Sequence, residues 1–547
     1  MAEQTRYPGS LIGALIGAFL TLLSITTFFL GSQVAGLPFV PFDVFDWMAR
    51  VLPGSLVRTG IETMVSGIRA VGIGGISEAA KVVEQVMALC LILAVGTGVG
   101  AALFAVLSRR RKGLPDSLMS GALLGVTGGV GLLLVSLAVN QTATAGPVAG
   151  ALWILAVSVA WGAALGWSHA QLTVEEETGS DATPPVASVA AVDRRQFIVR
   201  MGGAVAVITV TGGSVGAWVG ATRRRPPPGS GGTPWSATHP LPNADASVQP
   251  VRGTRPELTP VEDHYRIDIN TRPPAVDEVY WRLRIGGLVD QPSEWTLAEL
   301  RDGYEPMHQF VTLACISNPI GGSLVSTQRW TGVPLRLLLE EAGPGATATH
   351  LRIRGADDFF EVASLEEVMA DERIMLTYAW DGLSLPPGHG FPLRIYIPDR
   401  YGMKQPKWIE SIELIDEDEE GYWVRRGWDR EARMKATSVI DTIGVDMMIS
   451  AADETTLVPV GGIARAGSRG IAKVEVRVDN GPWTEAEIRD PLSSTTWVLW
   501  KFEWPFQAGD HTFAVRCIEG DGTPQIEARS PVSPSGATGL HHEEVML

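Results

Sequence analysis

Cysteine is nearly absent from this chain, with three in 547 residues: Cys90, Cys315 and Cys517 stand far apart, without CxxC or CxxCH spacing. That argues against a disulfide framework, a cysteine-built zinc site, an iron–sulfur cluster and a c-type haem. Histidine is as scarce in the first 225 residues, which hold only His169. A membrane-embedded b-type haem normally takes two axial histidines, so none is expected here. No GxGxxG follows a strand pattern, which leaves a bound flavin without a motif. No Lys/Arg stripe is interleaved with aromatics, and the formal net charge is −16, so nucleic acid is not an expected partner.

What is present divides the chain. Up to about Arg225 the sequence runs in long uncharged stretches of Ala, Gly, Val and Leu, and beyond Pro226 charged residues and most of the tryptophans appear. Stretches at roughly 11–31, 86–107, 118–139, 147–168 and 201–221 are each long enough to cross a hydrocarbon core, which takes about 20 residues. The segment 34–84 carries Pro, Arg and Glu among amphipathic pieces such as FDVFDWMARVL, and is expected to lie along the interface. The spans lack paired acids and bases, which gives a transporter reading little support.

Short basic loops set orientation, and the cluster from Arg109 to Lys112 places its loop in the cytoplasm. The pair Arg194 and Arg195 is then cytoplasmic too, and the fifth span carries everything after it outward. Arg223 to Arg225 stand on that outer side, against the rule. Asp193-Arg-Arg-Gln-Phe-Ile198 before a moderately apolar run resembles a twin-arginine export signal placed internally. The expected location is therefore a multi-pass protein of the cell membrane with its globular half outside the cytoplasm.

The expected architecture is multi-domain. A membrane region, 1–225, precedes a Pro/Gly/Ser linker, 226–252. An α+β domain follows over 253–440, where short β runs such as HLRIRG alternate with helical ones. Over 441–547 the pattern is all-β, with alternating runs such as IAKVEVRVD and a turn at Asn480-Gly-Pro, which suggests a small antiparallel sandwich.

Several blocks carry chemistry. Phe310-Val-Thr-Leu-Ala-Cys315-Ile-Ser-Asn318 ends an apolar run on a lone cysteine; Gly321-Gly322 and Arg329-Trp330-Thr-Gly332 follow. By itself such a cysteine is more often a small buried hydrophobe. A second block is His389-Gly-Phe-Pro-Leu-Arg394, then Gln405-Pro-Lys407-Trp408; alone, His389 and Arg394 flank a strand and could simply close surface ion pairs with carboxylates. A third is Thr259-Pro, His264-Tyr265-Arg266-Ile-Asp268-Ile-Asn270, and a fourth is Asp357 in Gly-Ala-Asp-Asp-Phe.

Together, over roughly 255–540, these blocks resemble the sulfite oxidase family. The resemblance implies a molybdenum–molybdopterin cofactor, with Cys315 as the protein ligand to the metal and Arg266 and Trp330 beside the reacting atoms. It implies pterin contacts from Tyr265, Asp268, Asn270, Asp357, His389 and Arg394, and phosphate contacts from Gln405 and Lys407. The residue types suit these tasks: a thiolate is a soft ligand for a redox metal, an arginine offers a planar fork, and a lysine is a point charge. The C-terminal β region resembles the immunoglobulin-like domain through which such enzymes often dimerise.

The chain also departs from the pattern. Where sulfite-oxidising members carry an Arg in the opening block and a Tyr after the Lys-Trp strand, this chain is read to hold Asp268 and Trp428. An added carboxylate repels anions, so inorganic sulfite is disfavoured unless Arg266, Arg329, Arg425 or Arg426 faces the site. The leading expectation is oxygen-atom transfer on a small sulfur or nitrogen oxo-compound, with electrons exchanged with a separate redox partner or a quinone. The alternative is a binding or scaffold protein that keeps the fold without turnover.

Overall fold

The computed structural model describes residues 4–70, 76–110, 114–139, 143–176, 194–223, 231–450 and 454–547. Arg111 and Lys112 of the basic loop, Asp193, and residues 224–230 at the start of the linker lie outside them. The chain forms two compact units.

The first unit comprises Met1–Leu52, Lys81–Arg225 and the short segment Asn270–Ala275. Its helices are α1 (Ser10–Ala35), α2 (Val40–Val51), most of α4 (Ile76–Arg109), α5 (Leu114–Val139), α6 (Pro147–Gln171) and α7 (Arg194–Arg223); α3 (Gly54–Ala70) falls in the second unit. Five of them, all but α2 and α3, are long and apolar enough to cross a membrane. At 12 residues α2 is too short to cross. α7 begins at Arg194, so the paired arginines open the last span.

Lipid tails supply no hydrophobic drive between helices, so close backbone approach through small residues takes its place. α5 and α6 cross on Gly121, Gly125, Gly162 and Gly166, where a Cβ on Gly121 would strike the Gly162 carbonyl oxygen. α1 and α4 do the same, since a Cβ on Gly17 would come within 2.5 Å of the Gly96 carbonyl oxygen.

Within this unit, Asn270–Ala275 is gripped by charged residues of α2 and α4. Asp46 Oδ1 accepts from the Thr271 backbone N–H at 2.9 Å and from its hydroxyl at 2.7 Å. Arg50 Nη2 donates to Asn270 Oδ1 at 2.9 Å, and Lys81 Nζ donates to the Asn270 carbonyl at 3.0 Å. The Arg272 guanidinium lies 4.5 Å over the Phe42 ring. Buried charges persist only when paired and hydrogen-bonded, which these are.

The second unit comprises Pro53–Ala80, Pro226–Ile269 and Val276–Leu547. One five-stranded sheet orders Leu383–Ser384, Met375–Trp380, Val325–Pro334 and Met307–Ala314, with Arg394–Tyr396 also paired to Met375–Trp380. A second orders Ser293–Trp295, Leu283–Gly287, Ile409–Ile415, His350–Gly355 and Phe360–Ser364, with one parallel pair. Helices Leu297–Asp302, Leu335–Ala342 and Leu365–Ala370 pack on them, and the shared core includes Leu283, Ile353, Trp330 and Trp380. Beyond Thr437 the fold is mostly β: an eight-stranded antiparallel sheet around Trp500, Val474 and Phe513. Residues 231–252 contribute no strand; Arg489 holds them through the carbonyls of Asn243 at 2.9 Å and Val248 at 2.8 Å.

Candidate active site

The strand Met307–Ala314 ends in four buried residues and delivers Cys315 just past its last rung. Cys315 extends the ladder by one bond, its N–H donating to the Leu324 carbonyl at 2.9 Å. Asn318 closes the turn behind it, its N–H donating to the Cys315 carbonyl at 3.1 Å and its Oδ1 accepting from the Leu324 N–H at 2.9 Å. At Gly322 a Cβ would collide with Asn318 Oδ1, so this turn requires glycine there. The C-terminal β region braces the strand, because Ser493 Oγ and Thr495 Oγ1 both donate to the Phe310 carbonyl at 2.7 Å. Burial pushes the Cys315 thiol above its ordinary value. Its sulfur lies 3.0 Å from Ser317 Oγ.

A cationic wall forms from the second block. Arg394 opens the strand Arg394–Tyr396, donates from Nη1 to the His389 carbonyl at 3.0 Å, and lies 4.7 Å over Trp330 and 5.2 Å over Trp380. Two π faces compensate part of what burial costs this cation, and burial lowers its pKa to about 10. Lys407 Nζ lies 3.3 Å from the Gly388 carbonyl and 3.4 Å from Asp268 Oδ2. The next residue, Trp408, sits at φ +53°, rare for a bulky side chain, with its indole N–H donating to the Pro387 carbonyl at 2.7 Å.

The acidic partners lie beside it. Asp268 is also 3.5 Å from Arg266 Nε. Burial raises Asp357 to about 7 against the pull of Lys407, with Asp268 adding repulsion, and its Oδ1 accepts from the Phe359 N–H at 3.1 Å. Tyr265 is buried on the Cys315 side, its N–H donating to Ser326 Oγ at 3.0 Å. Burial, with the Cys315 sulfur adding to it, pushes its phenol well above the ordinary value. His389 is held well below its usual value by burial, then by His264, Lys407 and Arg394.

The structure thus gathers Tyr265, Arg266, Asp268, Asp357, His389, Arg394 and Lys407 within one unit that also holds Cys315. Asn270 falls in the first unit, where its side-chain oxygen accepts from Arg50 and its backbone carbonyl from Lys81. Trp330, expected beside the reacting atoms, is wholly buried under the Arg394 guanidinium, where its ring supports that cation. Gln405 donates its amide to the carbonyls of Ile397 at 3.2 Å and Arg400 at 2.9 Å, which shapes its loop and leaves no donor for a phosphate. Arg329 lies over Trp235, Arg425 over Phe360 and Arg426 over Tyr422, so each guanidinium has an aromatic face beside it. Trp428 packs with Trp423. Sequence reasoning had assigned no role to Ser317, Trp380 or His264; the first and last stand inside quoted motifs, whereas Trp380 belongs to none.

The fit to a pterin is tested by what remains unsatisfied. His264 Nε2, Arg394 Nε, Trp330 Nε1, Trp380 Nε1 and Gln405 Oε1 are buried with no partner among the described residues. Buried polar groups are nearly always hydrogen-bonded, so these atoms suit a ligand rich in amide, amine and phosphate groups. No cluster of three or more His, Cys, Asp or Glu able to hold a metal occurs among the described residues.

Residues 270–423 match the family model of the oxidoreductase molybdopterin-binding domain. The chain thus carries a molybdopterin-binding oxidoreductase domain, in agreement with the sulfite oxidase resemblance of its sequence blocks. Its cofactor is molybdenum–molybdopterin. Among its relatives, the nitrate reductase [NAD(P)H] of Hordeum vulgare is 26% identical over 303 residues, covering 45% of this chain and 34% of the relative. An Azospira oryzae protein named as a protein-methionine-sulfoxide reductase subunit, YedZ1, is 29% identical over 154 residues, covering 28% of this chain and 56% of that protein. The solved sulfane dehydrogenase SoxCD of Paracoccus pantotrophus aligns at a TM-score of 0.47 and 22% identity, over 54% of this chain and 82% of that one. The match spans about a third of the first of these curated relatives and just over half of the second.

Proposed function

We propose that this molybdopterin oxidoreductase is anchored in the cell membrane with its catalytic domain outside the cytoplasm, and that it transfers an oxygen atom from a small sulfur or nitrogen oxo-compound. The observation that carries the reading is the lone Cys315 at a strand end, in one unit with a cationic wall at which Arg394 Nε, His264 Nε2 and the Trp330 and Trp380 indole N–H groups lack partners. The cofactor, when bound, supplies two-electron oxygen-atom exchange at the metal. Cys315 binds that metal as thiolate; burial favours its thiol, so metal binding displaces a proton. Arg394, His389, Lys407 and Asp357 hold the pterin and its phosphate.

Tyr265 stays protonated and presents an O–H on the Cys315 side. Arg266 and Lys407 offset the Asp268 carboxylate, so charge at this place excludes neither an anion such as sulfite nor a neutral oxo-compound such as a sulfoxide or N-oxide. Reducing such a compound to its parent and one water takes two electrons and two protons. A separate redox partner or a quinone supplies the electrons. The C-terminal β region is read as an immunoglobulin-like domain through which two copies pair. The test is one molybdenum and one pterin per purified chain, with turnover across a panel of sulfoxides, N-oxides, nitrate and sulfite. A metal-free, pterin-free chain would overturn the reading.

A further inference from the structure

His264 lies inside the candidate site without an assigned task. Its ring stacks on Trp380 at 4.2 Å and 28° and meets His389 edge-on at 5.3 Å. Nδ1 is 3.0 Å from the Tyr265 carbonyl oxygen. A carbonyl oxygen can only accept, so Nδ1 carries the ring proton. Nε2 is then a bare lone pair, and it is buried without a partner.

The surroundings fix this state. Burial takes His264 down to about 3, the Tyr265 carbonyl opposing, with Arg394 and Lys407 adding to the fall. The charged and titratable groups facing it are Arg394, Lys407, Tyr265 and His389, and none offers Nε2 a hydrogen. An unsatisfied buried acceptor costs free energy, which a ligand carrying a donor recovers.

We propose that His264 Nε2 accepts a hydrogen bond from an N–H of the bound pterin, making His264 a binding residue that reads the hydrogen-bearing edge of the cofactor. This rests on the molybdopterin reading above and deepens it. The pterin is chosen over the substrate because His264 neighbours Arg394, Lys407 and His389, the wall read as holding the pterin. The ring cannot donate while Nδ1 is committed to Tyr265. A pterin tautomer or oxidation state with a bare nitrogen at this place would therefore set lone pair against lone pair.

The test uses the full chain in detergent, purified from a host that makes the cofactor. His264→Leu and His264→Gln have similar size, and only glutamine restores an acceptor near the Nε2 position. Molybdenum per chain, the fluorescence of oxidised pterin, and cofactor loss in dilute urea are read beside the unfolding temperature. His264→Leu should lose cofactor roughly tenfold faster than the unsubstituted chain, as expected for one buried hydrogen bond, and His264→Gln should recover most of the difference. Equal retention in His264→Leu and the unsubstituted chain would overturn the proposal. So would equal depletion in both variants, or full cofactor with only a raised KM, which would assign the contact to substrate. If His264→Leu does not fold, His264→Gln decides by whether it keeps its cofactor. An unsubstituted chain without pterin would instead defeat the functional reading itself.

Discussion

The Cys315 sulfur lies 3.0 Å from the Ser317 hydroxyl, at the end of a strand whose last four residues are buried. A serine at 315 fits the same space, so Cys315→Ser should abolish turnover and metal retention. Its unfolding temperature should stay within about 2–4 °C of the unsubstituted chain, the shift expected for a ~1 kcal/mol change in a domain of this size. Activity assays, metal analysis and a melting curve check this. Undiminished activity would remove Cys315 from the metal.

Asp357 gives a pH signature in the cofactor-free protein. Its folded value of about 7 stands above the ordinary 3.8. The folded state therefore holds the proton more tightly, so the stability it contributes is complete below about pH 4 and is lost as pH rises through about 7. Asp357→Asn cannot titrate. Its stability relative to the unsubstituted apoprotein should rise between pH 5 and pH 8, by several degrees in the unfolding temperature. A flat difference across that range would mean that Asp357 is charged throughout.

His169 bears on electron delivery. Its Nε2 lies 3.2 Å from Ser108 Oγ and its Nδ1 3.1 Å from Ser117 Oγ, so both ring nitrogens already have neighbours within the helices. The detergent-purified chain should show no Soret band, and its molybdenum should exchange electrons only when a partner, a quinone analogue or a dye is added. A stoichiometric haem would contradict this and would require His169 to exchange a serine for iron.

The arginine pair at the start of α7 makes the topology testable. Arg194→Lys with Arg195→Lys should block export, leaving a reporter fused at Leu547 without extracytoplasmic activity, whereas the unsubstituted fusion should be active there. A fusion active only in the cytoplasm with both arginines present would reverse the orientation.

Much of this was legible because it is local. Five apolar runs read as spans and form five long helices, since hydrophobicity over about 20 residues needs no knowledge of partners. The Cys315 and His389–Arg394 blocks are short and contiguous, which lets them be read as site candidates from sequence alone. What stayed hidden depends on distant pairing. Asn270 looked like a continuation of the opening block, but Arg50, 220 residues earlier, holds its side chain. Trp330 sits beside Arg329 in sequence like any exposed strand residue, and only the fold lays Arg394 across it. Two residues upstream of Arg266, His264 carried no signal, because an unpaired lone pair is a property of surroundings rather than of a motif.

The grip on Asn270 and Thr271 matters for anyone who cuts the chain. A fragment beginning at the Pro/Gly/Ser linker keeps both residues but loses Asp46, Arg50 and Lys81. In the intact chain Asn270 is 2% and Thr271 1% exposed. In the fragment their amide, hydroxyl and carbonyl groups would face water, a site for protease nicking two residues past Asp268. Truncation, the usual convenience with membrane enzymes, would here loosen the segment that follows Asp268. Measurements on such a fragment would describe a frayed stretch of backbone that the intact chain keeps sewn down.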